Sequence, residues 1–267
     1  MKTLQFALLC VLLSACKNIA TKTDEATNGT SEEVAESKEW TADETVADFD
    51  ITPISHATAV MNWSDQVLYI DPVGGAEAFS GQPAPDLILV TDIHGDHLNV
   101  ETLEAVMIEE TQLIVPEAVA EKLSASLQEQ AQVLNNGETK TFSGFAITGV
   151  PMYNLREEAK DFHTKGRGNG YVIEQNGLRV YFSGDTEDIP EMRNLENIDK
   201  AFVCMNLPYT MPVSSAADAV LDFQPKQVYP YHYRGQGGLS DVDQFKQLVN
   251  QGNEAIEVVQ LNWYPNR

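Results

Sequence analysis

The sequence predicts an αββα sandwich, in which two β-sheets pack face to face and helices cover their outer faces. Short β-type runs begin at Phe49 and continue to the end of the chain, separated by Gly, Asn and Asp. Helical patterns interrupt these runs in both halves, and no internal repeat of fixed period occurs. Two β-rich portions, each with helices that can cover one face, fit a four-layer α/β architecture.

The individual elements follow from local patterns. In the first half we predict strands over 51–54, 58–61, 67–70, 87–90 and 113–115, a helix over 99–108, and a helix that opens at Pro116 and runs towards Leu127. In the second half we predict strands over 139–142, 145–150, 171–174, 178–182, 201–206, 227–231 and 256–260, with helices over 214–223 and 241–250. Asn176-Gly177 is a strong hairpin signal between two of these strands.

The N-terminus has the pattern of an export signal. Lys2 precedes an apolar run over 4–13, and two small residues then precede Cys16. The run is shorter than the about 20 apolar residues that a membrane-spanning helix needs. The four residues 13–16, Leu-Ser-Ala-Cys, resemble the lipobox of bacterial lipoproteins, which implies cleavage before Cys16 and lipid on that residue. An ordinary cleaved signal with an incidental cysteine is the alternative.

These features divide the chain into three parts. Residues 1–15 are predicted to be a lipoprotein signal peptide, residues 16–48 the lipidated Cys16 with a disordered acidic linker, and residues 49–267 the catalytic domain. The linker is rich in Thr, Ser, Glu, Asp and Ala, so it cannot bury enough apolar surface to fold alone. We expect an exported lipoprotein anchored at the cell envelope. Lys17 resembles outer-membrane rather than inner-membrane retention signals.

Composition limits the partners. The formal net charge is −23, from 17 Lys and Arg against 40 Asp and Glu, and no basic stretch is present. Such a chain repels polyanions, so we expect a small-molecule substrate and no nucleic acid. With Cys10 in the signal peptide and Cys16 modified, Cys204 is left alone, which excludes an internal disulfide. Cys204 lies in an apolar run and is predicted to be a core residue.

The segment most informative about chemistry is Asp92-Ile93-His94-Gly95-Asp96-His97, where an apolar strand ends and a helix begins. Alternate residues of an extended chain point to the same side, so Asp92 and His94 can converge on one metal ion. Asp96 and His97 follow the turn at Gly95 and can face a second ion. Carboxylate and imidazole together suit zinc, and iron and manganese accept the same ligands.

This segment resembles the His-x-His-x-Asp-His signature of the metallo-β-lactamase superfamily, especially the branch that includes ascorbate-6-phosphate lactonase and the N-acyl-phosphatidylethanolamine phospholipase D. The resemblance covers about residues 49–262. Further motifs follow in the family's order, namely Phe162-His163 with the Gly-rich stretch 166–170, Ser183-Gly184-Asp185, and Tyr231-His232.

The resemblance implies a fold and a set of ligands. The fold is the metallo-β-lactamase αββα sandwich. Two ions, expected to be Zn²⁺, would be held, the first by Asp92, His94 and His163 and the second by Asp96, His97 and His232, with Asp185 bridging them. One residue departs from the pattern, because Asp92 stands where the family has its first histidine. An oxygen ligand there can weaken the first site or change its metal preference.

The expected mechanism needs no Ser or Cys nucleophile. Paired cations lower the pKa of a shared water, and the resulting hydroxide is the nucleophile. Asp96 is predicted to be the catalytic residue that orients this water and accepts its remaining proton. Lys165, Arg167, Asn206 and Tyr209 lie near motif residues in the sequence and are candidate substrate-binding residues. Ordinary roles as solvated or loop-capping residues are equally open to them.

Four functions are compatible with this pattern. The leading hypothesis is a metal-dependent hydrolase of a small ester, lactone or amide. The alternatives are phosphodiester or phospholipid hydrolysis, iron-dependent oxidation chemistry on the same fold, and a non-catalytic surface protein that binds metal. An apolar groove beside the ions would favour a phospholipid substrate, and a closed polar pocket would oppose it. Antibiotic hydrolysis is not expected, because fold alone does not fix the substrate.

Overall fold

The structure is a computed structural model that describes residues 49–265. The predicted signal peptide, the lipidation of Cys16 and the predicted linker over 16–48 fall outside the described residues. Within 49–265, every helix is too short or too polar to cross a lipid bilayer.

The first sheet has six strands that lie side by side in sequence order. The first three are antiparallel, and the third begins a parallel series. The strands are β1 (Phe49–Ser55), β2 (Thr58–Trp63), β3 (Gln66–Ile70), β4 (Leu87–Leu89), β5 (Gln112–Val115) and β6 (Ala131–Val133).

The second sheet has seven strands in the order β15-β12-β11-β10-β9-β8-β7. Strands β7 to β10 are antiparallel, whereas β10, β11, β12 and β15 are parallel. Their bounds are Thr139–Phe142 (β7), Phe145–Met152 (β8), Gly168–Gln175 (β9), Leu178–Phe182 (β10), Lys200–Cys204 (β11), Gln227–Tyr231 (β12) and Glu257–Val258 (β15). Arg234–Gly235 (β13) and Gly238–Leu239 (β14) form a separate two-stranded hairpin.

The helices are α1 (Val100–Val106), α2 (Glu117–Ala120), α3 (Ala125–Gln130), α4 (Pro190–Arg193), α5 (Val213–Phe223) and α6 (Val242–Gly252), with a 3₁₀ turn over Ala76–Phe79. The prediction of one helix from Pro116 towards Leu127 is wrong, because the chain breaks between α2 and α3. Val119, Leu123 and Leu127 are all buried, and their spacing along the sequence is that of one face of a helix. At the break, Gln128 Nε2 donates to the carbonyls of Ala120 and Leu123, which satisfies backbone acceptors that a continuous helix would have paired.

Side chains of the first sheet alternate between two hydrophobic clusters, as the period of a strand requires. Val60, Tyr69 and Ile88 pack outward with side chains of α1, α2 and α3. Met61 and Leu68 point inward and share the central cluster with Phe145 and other residues of the second sheet. Helices α5 and α6 belong to that cluster through the opposite face of the second sheet. The molecule is therefore an αββα sandwich, as the sequence predicts.

The topology brings polar residues together at one edge. Asp71 directly follows β3, the Asp92 to His97 segment follows β4, Asp185 lies three residues beyond β10, and His232 directly follows β12. These strands belong to the parallel portions of the two sheets, whose carboxyl ends open at the same edge. The loops after the strands, rather than the strands themselves, thus carry the candidate ligands.

Candidate metal centre

Two groups of potential metal ligands lie at this edge. We call Asp92, His94 and His163 the first cluster, and Asp96, His97, Asp185 and His232 the second cluster. In each cluster the candidate ligand atoms all lie within 4.8 Å of one another. The seven residues are those that the sequence selects as ligands, and the structure brings them together in the predicted division.

Asp185 lies between the clusters. Its Oδ2 is 3.1 Å from His163 Nε2 in the first cluster and 3.4 Å from His97 Nε2 in the second. Its Oδ1 is 3.4 Å from His232 Nδ1. This is the position that the predicted bridging role requires.

The second cluster has the properties of a cation site. His97 and His232 are fully buried, and Asp185 is 2% exposed. Their atoms His97 Nε2, both ring nitrogens of His232 and Asp185 Oδ1 are buried without a hydrogen-bond partner among the described residues. Buried polar atoms are rarely left unpaired, and leaving one unpaired is costly. Nitrogen and carboxylate oxygen are the donors that zinc and related ions take, so these residues fit a divalent ion.

The electrostatics of the second cluster also favour a cation. Burial by itself would raise the pKa of Asp185, but the surrounding histidines hold it well below the usual range. Burial by itself would lower the pKa of His97, but Asp185 and Asp71 raise it well above the usual range. The carboxylates thus stabilise positive charge at the imidazole nitrogens. An ion bound by the same atoms supplies that charge in place of a proton.

Comparison with known proteins identifies the family. The model of the beta-lactamase superfamily domain matches residues 50–232. This chain belongs to the metallo-β-lactamase superfamily. It is 30% identical over 213 residues to a UPF0173 metal-dependent hydrolase of Thermococcus onnurineus, covering 76% of this chain and 93% of that protein. A UPF0173 metal-dependent hydrolase of Archaeoglobus fulgidus is 30% identical over 228 residues, covering 79% and 95%.

A solved structure agrees with these relatives. A Parabacteroides distasonis protein assigned to the metal-dependent hydrolases has a TM-score of 0.71 and 38% sequence identity, covering 79% of this chain and 92% of its own. The present protein is accordingly a metal-dependent hydrolase of the metallo-β-lactamase superfamily.

In this superfamily member, Asp71 and Thr91 support the second cluster. The side chain of Asp71 is fully buried, and its Oδ2 lies 2.8 Å from His97 Nδ1. Asp71 also accepts hydrogen bonds from the backbone N–H and the hydroxyl of Thr91, at 2.7 Å each. Because a carboxylate only accepts, His97 carries its proton on Nδ1 and presents the lone pair of Nε2 to the cluster. The motifs of the sequence do not indicate this role for Asp71.

His56 is the one histidine of the chain that is not among the seven candidate ligands. Its ring stacks on that of His232 with centroids 3.8 Å apart, and its Nε2 lies 3.4 Å from Asp96 Oδ2. The hydroxyl of Tyr264 lies 2.7 Å from its Nδ1. His56 therefore contacts two members of the second cluster. Burial by itself would raise the pKa of Asp96, but His232 and His56 hold it well below the usual range.

Arg167 lies beside the first cluster. Its Nε and Nη2 bond the two carboxylate oxygens of Asp92 at 3.0 and 2.8 Å, and Nη2 also donates to the Phe162 carbonyl. His94 Nδ1 lies 2.8 Å from Asp92 Oδ2. Both oxygens of Asp92 are thus already engaged by neighbouring side chains.

The other candidate substrate-binding residues lie around the centre. Lys165 is largely exposed, and its ammonium lies 2.5 Å from Glu191 Oε1. Asn206 is buried, and its side-chain oxygen accepts from the hydroxyl of Thr210. Tyr209 is half-exposed, with its ring against Phe162 at 5.2 Å between centroids. Their binding roles stay predictions.

Two loops next to the clusters expose hydrophobic side chains. Leu155, Phe162, Leu207 and Tyr209 are four of the five large hydrophobic residues exposed within 49–265. We call these four residues the apolar rim. The loops are tied together by Asn154, which donates to the Tyr209 carbonyl at 2.6 Å, and by Arg156, which donates to the carbonyls of Pro208 and Thr210. The first loop, between β8 and β9, contains Phe162 next to His163, and the Phe162 carbonyl accepts from Arg167 Nη2, so the rim borders the metal centre.

Proposed function

We propose that this protein hydrolyses a small ester, lactone or amide at the second cluster. The observation that carries this proposal is the convergence of buried, unpartnered imidazole and carboxylate atoms of His97, Asp185 and His232 from three separate loops at one edge of the sandwich. A divalent ion held by Asp96, His97, Asp185 and His232 would supply a Lewis acid that polarises a substrate oxygen and lowers the pKa of a coordinated water. Zinc is the ion we expect, and iron and manganese suit the same donors.

Asp96 is the residue placed to handle the proton. Its side chain is 43% exposed, whereas those of His97 and His232 are fully buried. Its Oδ1 lies 3.9 Å from His97 Nε2, farther than the 3.4 Å between Oδ2 and His232 Nε2. Oδ1 is therefore the oxygen with more freedom to orient the attacking water and take up its proton. Buried His97 and His232 do not exchange protons readily with solvent and serve as ligands.

The apolar rim supports a substrate with a hydrophobic portion. Exposed apolar groups that meet at one place commonly mark a binding surface. The rim would bind the acyl or alkyl part of the substrate and leave the scissile carbonyl beside the second cluster. Burying one Phe or Leu side chain against such a group stabilises the complex by about 1.5–3 kcal/mol.

Phospholipid hydrolysis is the second candidate, and the same rim favours it. The rim borders the metal centre and is open to solvent, so an acyl chain can lie across it. A membrane-anchored protein would meet such a substrate at the bilayer surface. The net charge of −23 opposes anionic headgroups, which is why the small carbonyl substrate is preferred.

A substrate panel separates these functions. The full chain carrying Cys16→Ser, loaded with zinc, is assayed against esters, lactones and amides of increasing acyl length and against phosphodiesters and phospholipid vesicles. We expect turnover of the first group and its loss in Asp96→Asn. Turnover confined to phospholipids would select the second candidate, and no turnover of any substrate with metal bound would contradict both. Iron dependence with consumption of oxygen would select oxidation chemistry instead.

We further propose that the chain acts at the cell envelope, anchored through lipid on Cys16. The support is the Leu-Ser-Ala-Cys sequence at 13–16 after a short apolar run. Metabolic labelling with a radioactive fatty acid should mark the wild type and not Cys16→Ser, and only the wild type should partition into detergent. Equal labelling of the two chains would contradict the anchor.

A further inference from the structure

The first cluster differs from the second in how its carboxylate is used. Both ring nitrogens of His163 are buried without a hydrogen-bond partner, as in the second cluster, but among residues 49–265 neither oxygen of Asp92 is such an atom. Arg167 takes both oxygens in a side-on fork, and His94 contacts one of them. Paired N–H···O bonds of this kind between guanidinium and carboxylate are among the strongest in proteins.

Burial makes this ion pair hard to replace. Asp92 is fully buried, and the side chain of Arg167 is 17% exposed. Separating a buried carboxylate from its partner is strongly unfavourable, since the charge would stay behind unpaired.

Charge also opposes an ion in the first cluster. A divalent cation bound by Asp92 would lie close to the guanidinium that forks the same carboxylate, and two cations at such short range repel each other. With Asp92 occupied, the first cluster keeps the imidazoles of His94, which is partly exposed, and His163, and it shares the carboxylate of Asp185 with the second cluster. It then has no carboxylate of its own to offset the charge of a second cation beside the guanidinium. The donor set of the first cluster therefore does not fit the expected ion while Arg167 holds Asp92.

We propose that this protein binds a single metal ion, in the second cluster, and that the guanidinium of Arg167 takes the place of the first ion as the partner of Asp92. The proposal deepens the proposed function, since it rests on the second cluster being the hydrolytic site. It also accounts for the departure at Asp92, because an arginine needs a carboxylate as its partner where an ion accepts imidazole. The positive charge beside Asp92 is thereby retained with one ion fewer.

Metal stoichiometry tests this directly and without reference to turnover. The chain with Cys16→Ser is stripped, titrated with Co²⁺ while the visible absorption is followed, and then dialysed and analysed for metal. We expect one equivalent per chain, with no second phase in the titration. Asp92→His combined with Arg167→Ala removes the fork and restores an imidazole, and this variant should take two equivalents. Two ions retained by the wild type would overturn the proposal.

Controls keep the result interpretable. Arg179→Ala removes an arginine from an ion pair with Glu174 away from the centre and should bind one equivalent. Circular dichroism establishes that each variant is folded. If the double variant is unfolded, Arg167→Ala alone replaces it and should show a second, weaker Co²⁺ phase. A folded replacement variant that still binds one ion would also overturn the proposal. One bound ion without hydrolysis of any substrate would contradict the proposed function and leave this inference standing.

Discussion

Asp71 Oδ2 lies 2.8 Å from Nδ1 of His97, so a buried carboxylate fixes the orientation and tautomer of a candidate metal ligand. Asp71→Asn keeps the shape of the side chain but lets it donate to His97, which disfavours the tautomer with Nε2 free. Loss of such a supporting carboxylate typically lowers metal affinity about 10–100-fold. Competition with a chromophoric chelator measures this change. Unaltered affinity in a folded Asp71→Asn protein would show that Asp71 does not position His97.

Removal of the metal should lower thermal stability. Ligand that binds only the folded state stabilises it by about 2.7 kcal/mol at a free concentration of 100 times its Kd. The unpartnered buried atoms of the second cluster then face one another with no cation between them. We expect Tm to fall by several degrees when a chelator is added and to recover with zinc. The same scan on His232→Ala should show a low Tm that neither addition changes, and a wild-type Tm insensitive to the chelator would count against a resident ion.

The apolar rim should govern affinity for substrates with long acyl chains. Phe162→Ser is expected to raise KM for such substrates roughly 10-fold or more, since about 1.5–3 kcal/mol of burial is lost, while short substrates change little. Ile108→Ser is the matched control, because Ile108 is the remaining exposed large hydrophobic residue of the described chain and follows the C-terminal end of α1. An equal rise in KM for short and long substrates would show that the apolar rim does not bind the acyl chain of the substrate.

Close packing explains two glycines at the start of β9, Gly168 and Gly170. A Cβ added to Gly170 would lie 2.8 Å from the carbonyl oxygens of Phe182 and Ser183, and one on Gly168 would lie 2.7 Å from that of Thr91. Gly170→Ala should therefore destabilise the fold by about 1–3 kcal/mol, as overpacking usually does. Gly237→Ala meets nothing within 4 Å and should leave the urea midpoint unchanged. If both variants unfold at the wild-type midpoint, the close approach is not required.

Much of the fold and ligand set could be predicted from the sequence because both depend on local patterns. The strand predicted over 227–231 matches β12. Asn176-Gly177 forms the predicted hairpin turn, which joins β9 and β10, with positive φ at both residues. The spacing within Asp92 to His97 was enough to divide those four candidate ligands between two groups, whereas His163, Asp185 and His232 were implied by the resemblance to the family. The prediction failed over 116–127. Buried residues there have helical spacing, but the helix is interrupted between α2 and α3.

Contacts between distant residues had no signal in the sequence. Arg167 is 75 residues from Asp92, and the sequence suggested only a pocket residue. Lys165 was proposed on equal grounds, yet its ammonium pairs with Glu191 of α4. Asp71 and His97 are 26 residues apart on different loops. Such pairs depend on how strand ends meet at the edge of the sandwich, which motif spacing does not specify.

Whether Asp185 holds a catalytic metal ion is tested by comparing two carboxylates of the same chain. Asp185→Asn keeps the size of the bridging residue but removes the charge that the three histidines surround, whereas Asp86→Asn alters a carboxylate that accepts the Val67 N–H at 2.7 Å. Metal content and hydrolysis are measured on both purified variants. We expect Asp185→Asn to lose its bound ion and at least about 100-fold in kcat/KM, a loss of about 2.7 kcal/mol of transition-state stabilisation, while Asp86→Asn keeps both. Full metal content and activity in Asp185→Asn would contradict this expectation.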